Sequence, residues 1–154
     1  MYIRFLLMFL LIIINSEFSN ADMMKKCIDN TDPKEDFSGV NLDELDYSAS
    51  IKNCTLALKK NPNNPKILRS LGRSYFKKKD YKNALSFFMK GKNIGDNLSL
   101  YYLGLMYQDG LGVEKDIYKT IEFYKLASEN GLSVAQTELG YLYEIGEGVQ
   151  TDYQ

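Results

Sequence analysis

The 154-residue chain has no histidine and no tryptophan, and only two cysteines and three prolines. Without histidine, Ser-His-Asp and Cys-His nucleophile systems and histidine-ligated zinc are excluded. No glycine loop precedes a helix that starts with a lysine, as a phosphate cradle requires, and Gly110-Leu111-Gly112 reads better as a turn between helices. Excess charge of either sign is also missing, the formal net charge being −1, so nothing marks a nucleic-acid binder. The one long apolar run, Phe5–Ile14, is too short to cross a bilayer core that needs about 20 residues.

What the chain has is repetition. Leu103-Gly104-Leu105-Met106-Tyr107 and Leu139-Gly140-Tyr141-Leu142-Tyr143 stand 36 residues apart, and Gly95/Gly131, Gly110/Gly146, Gly112/Gly148, Val113/Val149 and Asp116/Asp152 keep the same offset. A unit of this size cannot bury its apolar face alone and must stack on its neighbours. Leu71-Gly72-Arg73-Ser74-Tyr75 is a third copy, but it lies 32 residues before the next one, while Ala84-Leu85 keeps the full 36 to Thr120-Ile121. Its two helices are therefore joined by a turn four residues shorter, Lys77-Lys78-Lys79-Asp80, with no Gly-x-Gly-Val.

Within a copy, Leu100, Leu103, Gly104 and Tyr107 make one apolar stripe on a helix over about 99–108, with Gly104 small enough to admit a neighbour at close range. Gly110 stops that helix, Val113 turns back to the core, and Asp116 caps a second helix that runs to about Asn130 and points Ile117, Ile121, Tyr124 and Ala127 inward. Gly131 closes it and the next copy begins.

At these positions the sequence resembles the Sel-one-like repeat, a helix-pair variant of the tetratricopeptide repeat with a longer loop between its helices. The resemblance implies an all-α fold, a right-handed α-solenoid of antiparallel helix pairs spanning 47–154. It divides into a tetratricopeptide-like unit at about 65–96, a full Sel-one-like repeat at 97–132 and an incomplete one at 133–154. Some cysteine-rich secreted relatives are said to hydrolyse small substrates, but they carry a cysteine pair in every repeat, and the second and third repeats here have none.

Ahead of the repeats, Arg4, the run Phe5–Ile14 and the small residues of Ser19-Asn20-Ala21 read as a signal peptide over 1–21, cleaved after Ala21, with no stable membrane span afterwards. Export to the periplasm or beyond makes Cys27 and Cys54 a disulfide pair, with two unpaired structural thiols as the alternative. The bridge would tether segment 22–46 and stabilise the fold by roughly 3–4 kcal/mol. Asn53-Cys54-Thr55 and Asn97-Leu98-Ser99 match glycan acceptor patterns, which leaves a eukaryotic secretory pathway open.

Charge is unevenly spread: Asp29–Asp46 holds seven carboxylates against Lys34, whereas Lys52–Lys82 holds ten basic residues against Asp80. Two readings stand. The acidic segment screens the basic repeat, or Lys66, Arg69 and Arg73, at i, i+3 and i+7 on one helix, form a wall that takes an acidic or C-terminal carboxylate peptide. In tetratricopeptide-like stacks the first helix of each pair lines the concave face. Its candidate contacts are Lys66, Arg69, Arg73 and Phe76, then Tyr101, Leu105 and Gln108, then Thr137, Tyr141 and Glu144.

No catalytic residue, metal ligand or cofactor is expected. The function expected is a non-catalytic protein–protein interaction module, with a recognition domain of a longer hydrolase or a structural oligomer, self-associating through the incomplete last repeat, as alternatives.

Overall fold

The computed structural model describes residues 21–28 and 45–148. The proposed signal peptide, most of the acidic segment and residues 149–154 therefore lie outside the described residues. Helix α1 is described over residues 21–28, and six further helices follow: α2 Tyr47–Lys60, α3 Pro65–Lys77, α4 Tyr81–Asn93, α5 Asn97–Asp109, α6 Ile117–Glu129 and α7 Ser133–Glu144. Among the described residues the chain is all-α.

The helix starts follow from local chemistry. Asp46, Asn64, Asp80, Asp96 and Asp116 each accept a first-turn backbone N–H and so satisfy donors that the helix itself cannot pair. Pro65 adds a preset φ where its missing N–H costs nothing. Among α2 to α7 only α7, entered through Leu132, has no side-chain cap. Gly110 ends α5 in the left-handed conformation at φ 70°, as its place after the apolar stripe required.

Consecutive helices pack antiparallel, α3 on α4 and α5 on α6 within pairs, and α2 on α3, α4 on α5 and α6 on α7 between them. Inside each pair a glycine meets a ring. A Cβ on Gly72 would stand 2.4 Å from Phe88, and one on Gly104 would stand 2.4 Å from Tyr124; both rings are fully buried. Burying a ring of this size stabilises the fold by about 1.5–3 kcal/mol. Gly140 breaks the expected pattern, because a Cβ there would meet nothing within 4 Å.

The four-residue insertion reaches backwards. Gly112 sits on the backbone and Cβ of Tyr81 in the preceding pair, and Gly148 sits on Ile117 and Ile121 one repeat later. Tyr81 and Ile117 both open their helices directly after an aspartate cap, so the same loop clasps the same seat twice. Tyr47, which opens α2 in the same way, is 37% exposed, because the short Lys77–Asp80 turn has no loop to lay over it.

Two cores result. The larger runs from Ala84 through Phe88, Tyr102, Leu103, Met106 and Tyr124 to Leu142; the smaller joins Cys27, Cys54, Ala57, Ile67 and Leu71. Cys27 and Cys54 form a disulfide that fastens α1 to α2, and both are fully buried. Beside it a polar seam links α2 to α3: Ser50 and Ser74 hydroxyls lie 2.6 Å apart, and Ser74 Oγ donates to the Ser70 carbonyl at 2.8 Å.

Candidate functional site

The expected contact surface lies on α3, α5 and α7, and α3 touches α5 directly, whereas no pair among α2, α4 and α6 makes comparable contact. Of the first helices, α3 and α5 thus approach each other on what we take as the inner side of the stack, with α2 and α4 on the outer, convex side.

The structure splits the ten candidate residues into two groups. Arg69 and Arg73 belong to the fold rather than to an open wall. Arg69 is 8% exposed and its guanidinium pairs with Asp96, the cap of α5, which also accepts from Ser99 N at 2.9 Å and Ser99 Oγ at 2.6 Å. Arg73 is 3% exposed, with its guanidinium carbon 5.9 Å from the centre of the Tyr102 ring. The i, i+3, i+7 spacing does place Lys66 on the same helix, but the next repeat covers the two arginines and leaves Lys66 exposed.

Tyr101 is likewise buried. Its ring stacks on Tyr124 at 5.6 Å and meets Tyr102 edge-on at the same distance. Burial, reinforced by the negative charge of Glu138, pushes its hydroxyl up to about 12, and burial raises Tyr124 as well. Tyr124 Oη donates to Gln108 Oε1 at 2.7 Å, so Gln108 is half-buried and part of that network. Glu138, through its charge on these two tyrosines, is a face residue that periodicity did not single out; it lies one position from Thr137 and two from Gln136.

Lys66, Thr137, Tyr141 and Glu144 are exposed, and Phe76 and Leu105 are half-buried. Phe76 packs edge-on against both Tyr81 and Tyr102. Tyr141 is 54% exposed. Tyr75 stacks on Phe87 and Tyr107 on Phe123, each within its own helix pair rather than between repeats, whereas Tyr143 on α7 is 48% exposed.

Where the first helices begin, a groove of about 460 Å³ is lined by Pro65, Arg69, Ile94, Asp96, Leu98 and Leu132 among others. Both glycan patterns fall in helices: the Asn97 amide donates to the Asn130 carbonyl, and Ser99 is wholly buried on Asp96. Among the described residues, no cluster of His, Cys, Asp or Glu could hold a metal ion, and no helix is long and apolar enough to cross a membrane.

Comparison with known proteins points the same way. Residues 97–132 and 133–154 match the Sel1 repeat family. The chain is similar to beta-lactamase HcpA of Helicobacter pylori, 38% identical over 58 residues that make up 38% of this chain and 23% of that protein. It is also similar to the putative beta-lactamase HcpC of the same organism, 36% identical over 55 residues, 36% of this chain and 19% of that protein. The matches thus span about a fifth of the length of these curated relatives. Among solved structures, a Sel1 repeat protein from Oxalobacter formigenes superposes with a TM-score of 0.60 at 30% identity, covering 67% of this chain and 43% of that one.

Proposed function

Because residues 97–154 are Sel1 repeats, and such repeats mediate protein–protein contacts, we propose that this protein is a non-catalytic interaction module of the exported compartment. It binds a protein or peptide on the concave face of α3, α5 and α7. The observation that supports this reading is the contact of α3 with α5, together with Lys66, Leu105, Thr137, Tyr141 and Glu144, which occupy equivalent register positions of the first helices and have side chains at least partly open to solvent. Tyr141 is the natural anchor, since a ring with a polar tip offers large contact area at low entropic cost. Export is supported by the Arg4, Phe5–Ile14 and Ser19-Asn20-Ala21 pattern together with the disulfide.

Substituting Leu105→Asp and Tyr141→Ala together should abolish capture of an envelope protein by the immobilised chain. Tyr118→Ala, on the convex side and 70% exposed, should leave capture intact. Equal losses in the two proteins would discard the concave reading. Catalysis is not part of this proposal, and turnover of a chromogenic β-lactam by the purified chain would refute it.

A further inference from the structure

The charge carried by the solenoid reverses along its length. Between Tyr47 and Gly95 there are twelve basic residues and one acidic, Asp80; between Asn97 and Gly148 there are three basic and eight acidic. With Arg69 and Arg73 buried, the exposed positive charge of the first stretch is all lysine.

These lysines make a pattern on the convex side. On α2, Lys52, Leu56 and Lys59 recur at i, i+4 and i+7, opposite the buried Ser50, Cys54 and Ala57. On α4, Lys82, Met89 and Lys90 stand opposite the buried Ala84, Phe88 and Gly91. All six are exposed, Leu56 by 42% and Met89 by 36%. On α6 the corresponding face carries Glu122, Lys125 and Glu129, and the positive character ends there.

We propose that the convex face of α2 and α4 docks on an anionic lipid surface. Charge argues for it: four exposed lysines on two neighbouring outer helices, with no carboxylate on either helix, make the kind of basic cluster that an anionic leaflet attracts. Side-chain chemistry agrees. Lysine is a flexible point charge without the planar fork that favours a specific carboxylate, and the exposed Leu56 and Met89 beside the lysines add apolar contact for a headgroup layer. Each lysine near an anionic leaflet contributes about 1 kcal/mol, an attraction that fades beyond a Debye length of about 10 Å at 0.1 M salt. This surface is separate from the concave face, so either reading can fail without the other.

The test is co-sedimentation of the full chain with vesicles of phosphatidylglycerol and phosphatidylcholine in equal parts, against phosphatidylcholine alone. The apolar run of Phe5–Ile14 is common to every variant, so the readout is the difference between the two vesicle types. Reversing four convex lysines, Lys52→Glu, Lys59→Glu, Lys82→Glu and Lys90→Glu, should lower partition onto anionic vesicles by at least about tenfold. Reversing Lys66, Lys78, Lys79 and Lys115, an equal change in net charge elsewhere, should lower it far less. If the first set does not fold by circular dichroism, the same four positions as Gln provide the same comparison. Equal binding to both vesicle types by the unaltered chain, or equal losses in the two sets, overturns the proposal. So does capture of a poly-glutamate peptide through the convex lysines without preference for anionic vesicles, which would assign the face to an acidic protein.

Discussion

α1 and α2, joined by a disulfide, and the two helix hairpins after them solve one packing problem by different chemistry. Counting from their aspartate caps, Ser50, Cys54 and Ala57 in α2 correspond to Ala84, Phe88 and Gly91 in α4 and to Thr120, Tyr124 and Ala127 in α6, and all nine are buried. At the central position α4 and α6 place a ring over a glycine of the paired helix, whereas α2 places a sulfur bonded to Cys27. A large ring in a shaped socket buries enough area to hold two helices by itself. A cysteine does not, and the covalent link stands in for the missing contact. The junctions between pairs differ too: Arg69 reaches Asp96 at the first, while the equivalent positions at the second are Tyr101 and Leu132, and at both the glycine loop clasps the preceding pair.

Breaking the ionic junction should have the largest effect. Arg69→Met alone leaves the buried Asp96 charge with the Ser99 hydrogen bonds but without its cationic partner and should cost about 3–5 kcal/mol in a denaturation series, whereas Arg69→Tyr with Asp96→Leu, which copies the second junction, should recover most of that loss. A double variant as unstable as the single would mean that the two junctions are not equivalent. Next comes the disulfide. Its reduction should lower stability by roughly 3–4 kcal/mol in the chain-entropy model, and amide exchange should show the loss concentrated in α2 and the start of α3 rather than in α5 and α6.

A smaller contrast separates two glycines of identical motif. Gly104→Leu drives a side chain into Tyr124 and should cost about 1–3 kcal/mol, while Gly140→Leu points into open space and should stay within about 0.5 kcal/mol of the parent. Equal effects would show that Gly140 is covered in solution.

The smallest differences appear at the extremes of pH. The Asn83 amide holds the Asp80 carboxyl below its usual value, and the Lys119 backbone N–H does the same for Asp116, so their capping contributions are present at neutral pH and fade as pH falls through the lowered folded values. Tyr101 acts at the other end. Its hydroxyl ionises more readily unfolded than folded, so its neutral burial ceases to favour the fold as pH rises from about 10 toward 12. Tyr101→Phe should flatten the alkaline limb of a stability-versus-pH curve.

Much of this was readable from spacing. The 36-residue offset, the Asp116 cap and the glycines after α5 and α6 place those two helices to within about two residues, since caps and turns are local and need only the chain's own neighbours. The backward reach of Gly112 onto Tyr81 was not readable, because nothing local relates a loop to the start of the preceding pair's second helix. The candidate face was readable only in part. Lys66 and Tyr141 are open, but Arg69, Arg73 and Tyr101 are indistinguishable from them in residue type and register.

The sequence by itself determined the repeat, the helical class, the approximate bounds of α5 and α6 and the one possible cysteine pair, because periodicity and capping act within a few residues along the chain. Which polar and aromatic side chains remain for a partner was decided only by the tertiary structure. Arg69 becomes part of the fold because Asp96, 27 residues away, arrives beside it with the next repeat, and a buried charge must be paired or excluded. Gly140 stays open for the converse reason, since the close approach that its Leu-Gly motif permits exists only once a second helix lies across it.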